Sequence, residues 1–190
     1  INAENAIIKN FTIRNSGTIF PNAGINLSSN YNTIEENIII NNLYGMTLYE
    51  SSYNKIKENL IQENENCGIY LSNSSHNLIL YNMIHNQFYN GIGIYDSSDN
   101  NTIKNNTLTN NGFCGINIRI SSHTTIISNN ISNNNIGIHI PASKNIIDNN
   151  YFSNNNVNID KELITPGFEL ILFFISLLLI MKYYIKKKEE

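Results

Sequence analysis

The sequence predicts an all-β fold: a single-stranded parallel β-helix of about seven rungs, followed by one C-terminal transmembrane helix. Two repeated patterns and one apolar segment lead to this prediction. The first pattern spaces isoleucine and asparagine at fixed offsets, and the second places glycine before two alternating aliphatic residues. The apolar segment lies close to the C-terminus, where both repeats have ended.

The first pattern occurs seven times before residue 160. After Asn101, for example, Ile103, Asn106 and Leu108 follow at offsets of two, five and seven. Asparagine at a bend bonds its own turn and stacks on the same amide one rung away, so we expect a ladder at the fifth position. The predicted ladder consists of Asn10, Asn37, Asn59, Asn82, Asn106, Asn129 and Asn150.

The second pattern, glycine-aliphatic-x-aliphatic, recurs between copies of the first. Each repeat then holds three short apolar segments of period two, which predicts three short strands per rung. The period of roughly 21 to 24 residues lies in the solenoid range. Leucine-rich repeats have a comparable period, but their leucine-dense consensus and helical segment are absent. The glycines are Gly24, Gly45, Gly68, Gly91, Gly115 and Gly137.

Composition limits the alternatives. Asparagine richness alone is typical of disordered, low-complexity tracts, but the isoleucine content argues against disorder. The net charge is −3 and no basic stripe is visible, so nucleic acid is not an expected partner. Because the chain starts at Ile1 and not at methionine, we expect that its natural N-terminus is missing or removed.

The repeat resembles those of NosD-type proteins and of many carbohydrate-active enzymes over roughly residues 1–160. The resemblance implies a right-handed parallel β-helix. It also suggests two possible activities, copper handling and polysaccharide modification. The fold alone does not decide between them, because it serves many functions.

The C-terminal segment 168–185 is apolar and about 27 Å long as a helix, near the thickness of a bilayer. Lys186, Lys187 and Lys188 follow it and should remain cytoplasmic, which places the repeat domain outside the cell. The triplet Pro166, Gly167 and Phe168 before the apolar run resembles the PGF-CTERM sorting signal of archaeal surface proteins. That resemblance implies a sorting enzyme as partner and a lipid anchor in place of a permanent span.

These features divide the chain into a repeat domain (1–160), a short linker (161–167), a transmembrane or sorting helix (168–185) and a charged tail (186–190). The predicted location is the cell surface, with the membrane as one partner.

The predicted binding face lies on the strand that follows each glycine, where outward positions alternate with core aliphatics. Aromatic rings beside amide and cationic groups on a flat face suit an extracellular glycan. The alternative is that these residues have no binding role, because tyrosine is common in β-strands for its strand propensity alone. The face comprises Thr47, Tyr49, Tyr70, Tyr95, Asn117, Arg119 and His139.

Catalytic and metal sites are not indicated. Cys67 and Cys114 precede glycines two rungs apart, about 9.6 Å, which exceeds the roughly 7 Å limit for a disulfide. No His, Cys and Met cluster has metal-ligand spacing, so we predict no cofactor or metal. Glu36 and Glu58 lie one rung apart, but they fit a solvated charge ladder with neighbouring lysines better than a catalytic pair.

Three functions remain open at this stage. The favoured one is a non-enzymatic, surface-anchored protein that binds or presents to an extracellular glycan or other polymer. The second is a fragment of a polysaccharide lyase or hydrolase whose catalytic rungs lie upstream. The third is a NosD-like copper-handling protein.

Overall fold

The computed structural model describes residues 1–161, except for residues 18, 20, 21, 142 and 143. The predicted segments from residue 162 onward, including the linker, the sorting motif and the transmembrane helix, lie outside the described residues. Within the described part, no helix is long and apolar enough to cross a membrane.

The described chain folds into three parallel sheets of seven strands each, which we call A, B and C. Sheet A contains β1 (Ile7–Lys9), β4 (Thr33–Glu35), β7 (Lys55–Lys57), β10 (Leu78–Leu80), β13 (Thr102–Lys104), β16 (Thr125–Ile127) and β19 (Ile146–Asp148). Sheet B contains β2 (Thr12–Arg14), β5 (Ile38–Ile40), β8 (Leu60–Gln62), β11 (Met83–His85), β14 (Thr107–Thr109), β17 (Asn130–Ser132) and β20 (Tyr151–Ser153). Sheet C contains β3 (Ala23–Leu27), β6 (Tyr44–Tyr49), β9 (Ile69–Ser72), β12 (Ile92–Tyr95), β15 (Cys114–Ile118), β18 (Ile136–His139) and β21 (Val157–Asp160).

Each strand pairs with the strand three places further along the chain, so that one A, one B and one C strand form a rung. The architecture is a parallel β-solenoid of about six full turns, which confirms the predicted all-β repeat fold.

The core is a set of aliphatic columns inside the solenoid. Ile34, Ile56 and Ile79 stack in sheet A, and Ile39, Ile61 and Ile84 stack in sheet B, all with no solvent exposure. Burying one such side chain contributes about 1.5–3 kcal/mol. Since strands of three residues bury one such residue each, stability accumulates only as rungs stack.

The asparagine ladder runs along the corner between sheets A and B. Asn82 Oδ1 accepts bonds from the backbone N–H (3.0 Å) and the Nδ2 (3.0 Å) of Asn59 on the previous rung. Its own Nδ2 donates to Ile56 O (3.0 Å) and to Asn106 Oδ1 (3.0 Å). The same backbone-to-amide bond joins successive residues of this column: Asn37, Asn59, Asn82, Asn106, Asn129 and Asn150.

Asn10 does not belong to this column, and the prediction for it is wrong by one residue. Lys9 pairs with Glu35, so Phe11 takes the position opposite Asn37, and the Phe11 N–H donates to Asn37 Oδ1 (3.0 Å). Asn10 occupies the preceding position and has a left-handed backbone (φ 62°). The left-handed residue at this corner is thus the one before the ladder, as at Glu36 and Glu58, and not the ladder asparagine itself.

The other two corners carry ladders of the same kind. Asn32, Asn54, Asn77 and Asn101 bond in series where sheet C leads into sheet A. A third ladder, which includes Gln87, runs between sheets B and C. Its members are Asn42, Asn64, Gln87, Asn111, Asn134 and Asn155.

A column of glycines lies where the strands of sheet C begin. A Cβ on Gly91 would lie 2.6 Å from Gly115 O and 2.9 Å from Leu108 Cδ2. Its neighbours Gly68 and Gly115 show the same crowding against the carbonyl of the next rung. In β21, Asn158 occupies this column. Close stacking against the following rung therefore excludes side chains from the glycine column, and Asn158 lies in β21, the last strand of sheet C in the described residues.

The rungs differ in length at two corners only. Five residues always separate the core residue of an A strand from that of the next B strand, as from Ile34 to Ile39. The separation from the B-strand core residue to the glycine column varies from six residues to eleven. The corner between sheets A and B is therefore the constant one.

Glu36 and Glu58 form part of an ion network on the outside of sheet A. Lys9 contacts Glu35 (3.1 Å) and Glu36 (2.7 Å), while Lys57 contacts Glu35 (2.7 Å) and Glu58 (3.5 Å). The hydrogen bonds from Lys57 and Lys9 lower the pKa of Glu35. This alternation of charge matches the solvated ladder expected from the sequence.

Candidate functional site

The predicted binding residues lie together on the outer face of sheet C. Strand register places Thr47, Tyr70, Gly93, Asn117, His139 and Asp160 in one column. Tyr49, Ser72 and Tyr95 form a second column two residues further along the strands. Arg119 follows β15, and its N–H donates to Ile94 O on the previous rung (2.9 Å).

Three tyrosines contact one another across this face, and we call them the tyrosine row. The ring of Tyr70 packs edge-on against Tyr44 with centroids 5.4 Å apart, and it stacks on Tyr95 with centroids 5.2 Å apart. Burial raises the pKa of all three hydroxyls, so they are protonated hydrogen-bonding groups at neutral pH. Tyr49, at the end of β6, is half exposed beside the row.

Gly93 determines where the Tyr95 ring lies. A Cβ on Gly93 would be 2.5 Å from Tyr95 Cε2 and 3.2 Å from Cζ, so the ring lies across the glycine. Asn90 Nδ2 then donates to the Tyr95 hydroxyl (3.1 Å) and fixes its far end. Sequence reasoning treated Gly93 only as part of the strand pattern and missed Asn90.

The outward positions differ in accessibility. Tyr49 is 50% exposed, whereas Thr47 is 5%, Asn117 2% and His139 0% exposed. Alternation along a strand predicts which side a residue faces, and it does not predict what lies above that side. Here Tyr44, the first residue of β6, packs its ring against Tyr70 on the same face.

Several buried polar atoms on this face have no hydrogen-bond partner. Within the described part of the chain there are six such side-chain atoms, and three of them are Thr47 Oγ1, Asn117 Oδ1 and His139 Nε2. His139 Nδ1 lies 2.9 Å from Asp160 Oδ2, which orients the imidazole ring. An unsatisfied buried polar atom costs about 1–3 kcal/mol, so this face holds hydrogen-bonding capacity that the described part of the protein does not use.

Cys67 and Cys114 lie buried at the entrance to sheet C, and both are free thiols. Asn90 lies between them: its Oδ1 accepts from the Cys114 N–H (3.1 Å) and its Nδ2 lies 3.7 Å from Cys67 Sγ. Burial raises the pKa of Cys67 to about 12, and it also raises that of Cys114. Neither thiol is a nucleophile at neutral pH.

We therefore expect both thiols to resist alkylation in the folded protein. At mildly alkaline pH, iodoacetamide should label neither cysteine before unfolding and both after unfolding in denaturant, because a buried thiol is neither accessible nor ionised. Mass spectrometry of the labelled chain measures the outcome. Rapid labelling of native Cys67 would show that this part of sheet C opens readily.

The described residues do not fit a copper centre. No group of three His, Cys, Asp or Glu side chains comes together in the described ranges. Cys67 and Cys114 are separated by Asn90, and Met46 lies in the apolar core. Copper is bound in proteins by closely grouped thiolate, thioether and imidazole donors, which this arrangement does not supply.

A family model described as periplasmic copper-binding protein (NosD) matches residues 10–164. No curated protein sequence matches the chain at a significant level. Among solved structures, the periplasmic alginate epimerase AlgG is 22% identical with a TM-score of 0.68, over 77% of this chain and 39% of the epimerase.

Two further structures are similar. The alginate lyase from Paenibacillus sp. str. FPU-7 is 13% identical with a TM-score of 0.57, over 77% of this chain and 68% of the lyase. Tailspike protein 2 of bacteriophage CBA120 is 14% identical with a TM-score of 0.57, over 79% of this chain and 31% of the tailspike domain. These likenesses show a shared fold, and the chain spans about two-fifths of the epimerase.

Proposed function

This chain belongs to the NosD family of periplasmic copper-binding proteins, and we propose that it is a surface protein that binds an extracellular polysaccharide along the outer face of sheet C. The observation that carries this proposal is the tyrosine row beside buried, unpartnered polar atoms. Aromatic rings supply apolar contact for sugar rings, and Tyr49, which is half exposed, supplies a hydroxyl group for hydrogen bonds. Thr47 and Asn117 lie just below the surface of the same face, with oxygen atoms that have no partner.

The rigidity of the face supports the same proposal. Tyr70 is held between two rings, and Tyr95 is fixed by Gly93 and Asn90, so little side-chain entropy is lost on binding. Stacked rungs about 4.8 Å apart present these groups as a linear strip, which suits an extended polymer better than a compact ligand.

Location and anchoring extend the proposal. The family is described as periplasmic, which agrees with a place outside the cytoplasm. We propose that segment 168–185 anchors the chain to the membrane, either as a span or after cleavage at Pro166, Gly167 and Phe168 by a sorting enzyme. The lysines at 186–188 would then remain inside.

A second candidate function is modification of the bound polymer. The pair formed by buried His139 and partly exposed Asp160 favours it, because an oriented imidazole with an unpartnered Nε2 is the arrangement of a general acid or base. Release of reducing ends or unsaturated sugars from polysaccharide incubated with the protein would support this function over simple binding.

The test of binding uses single alanine substitutions. Tyr70→Ala should weaken binding of a responsive polysaccharide by roughly tenfold in affinity electrophoresis or calorimetry, because the central ring of the row is lost. The matched control is Tyr81→Ala, since Tyr81 is exposed at the corner between sheets A and B, away from this face. Equal loss in both variants, or no binding to any polysaccharide, would contradict the proposal.

A further inference from the structure

The rungs that carry the tyrosine row are acidic. The parts of the chain that enter, form and leave β6, β9 and β12 are residues 41–52, 63–75 and 86–98. They contain four carboxylates and no lysine, arginine or histidine. The acidic side chains are Glu50, Glu63, Glu65 and Asp96.

Two of these carboxylates border the row at the end of the strands. Glu50 directly follows Tyr49, and Asp96 directly follows Tyr95. Asp96 Oδ2 accepts a hydrogen bond from Ser72 Oγ (2.9 Å) and lies near enough to Tyr70 to add to the rise that burial causes in the pKa of that tyrosine. Both carboxylates belong to exposed residues.

The other two lie where the chain enters β9. Glu63 and Glu65 are exposed, and they flank Asn64 of the corner ladder. In the described part of the chain, none of the four carboxylates pairs with lysine or arginine, whereas Glu35 on sheet A contacts two lysines. The negative charge beside the tyrosine row is therefore left for solvent or a ligand.

Thr47 supplies an independent sign of a ligand between these flanks. It pairs with Tyr70 across β6 and β9, it is 5% exposed, and its Oγ1 has no partner. Arg119 is the basic residue of the next rung, and it already has an interaction within the protein.

We infer that the ligand of this face is a polysaccharide bearing protonated amino groups, and not a polyuronate. The inference rests on the proposed function and names its substrate class. Ammonium groups would be attracted to the four carboxylates, and they bind favourably over tyrosine rings. A polyuronate would bring negative charge against the same groups. The four carboxylates therefore argue against alginate as the ligand of this chain. Alginate is the polymer in the names of the similar epimerase and lyase.

The experiment compares three oligosaccharides with the full chain at mildly acidic pH, where ordinary carboxylates stay ionised. The probes are a β-1,4-linked glucosamine hexamer, its fully N-acetylated counterpart and a mannuronate hexamer. The first two share one backbone and differ in the amine charge. We expect the amine-bearing hexamer to bind most tightly, and its advantage to shrink as salt is raised.

Two double variants locate the effect. Glu50→Gln with Asp96→Asn should weaken binding of the amine-bearing hexamer at least roughly threefold and leave the acetylated hexamer unchanged. Glu36→Gln with Glu58→Gln removes the same charge from the corner between sheets A and B and should change neither.

The outcomes separate the two claims. Equal binding of the two glucosamine-backbone probes, preference for mannuronate, or equal loss in both double variants would overturn the charge inference and leave polysaccharide binding in place. Absence of binding to all three by a chain with a β-rich circular dichroism spectrum would overturn the charge inference, and absence of binding to every other polysaccharide tested would remove the proposed function as well.

Discussion

Asn82→Leu is expected to lower the free energy of unfolding by about 3–5 kcal/mol. The substitution keeps the number of heavy atoms and the branching of asparagine but removes every polar contact of the amide. The backbone N–H of Asn59 and the carbonyl of Ile56 then remain buried without these partners. Because the bonds of Asn59 and Asn106 share that amide, the loss spreads over three rungs.

Denaturant unfolding followed by circular dichroism measures the effect. The control is Asn10→Gly, which changes an exposed asparagine outside the ladder at a left-handed position that glycine accepts. It should change stability by less than about 0.5 kcal/mol. If the two substitutions cost the same, the ladder would contribute no more than a surface asparagine.

Gly91→Ala should also be strongly destabilising, by about 2–3 kcal/mol. The backbone of Gly91 has no left-handed strain, so the cost arises from space alone. The new Cβ would lie 2.6 Å from Gly115 O and 3.0 Å from Asn111 Nδ2, and the stacked backbones cannot separate without loss of sheet hydrogen bonds.

Asn158→Ala provides the comparison for this prediction. Asn158 occupies the same column in β21 and is exposed, so truncating it should cost less than about 0.5 kcal/mol. Thermal unfolding of both variants gives the two values. A Gly91→Ala protein as stable as the parent would mean that adjacent rungs in sheet C can move apart freely.

The repeat made the fold predictable. In a strand with alternating apolar residues, the apolar side chains must point into the core. Ile34, Ile56 and Ile79 therefore share a column, because they occupy the same position of successive repeats. The parallel stacking followed, because each rung alone buries too little apolar surface. The handedness and the C-terminal helix remain predictions.

The first rung shows the limit of pattern matching. Asn10 lies five residues after Asn5, the offset at which the repeat places a ladder asparagine, but backbone pairing of Lys9 with Glu35 gives the ladder position to Phe11. Asparagine is common both at the ladder position and at the left-handed position before it. Composition therefore cannot decide between registers that differ by one residue.

The face on which the candidate site lies was predictable, but the contacts and burial of its residues were not. The sequence placed Thr47, Tyr70 and Asn117 on one outer face, where they lie. It could not show that Tyr44, the first residue of β6, packs against Tyr70, because alternation along a strand does not predict contacts between rings of successive rungs. Nor did any sequence signal pair His139 with Asp160, which come from successive rungs.

The spacing between sheets A and B is constant at five residues, whereas the corners around sheet C vary in length. The corner between sheets A and B therefore cannot change in length during evolution, and the other two corners can. In-frame duplication of one repeat would lengthen the molecule by about 4.8 Å without new kinds of contact. Insertions near sheet C would reshape the walls of its outer face and leave the framework untouched. Descendants of such a gene can thus acquire new specificities by changing the number and length of repeats, with the interior copied unaltered.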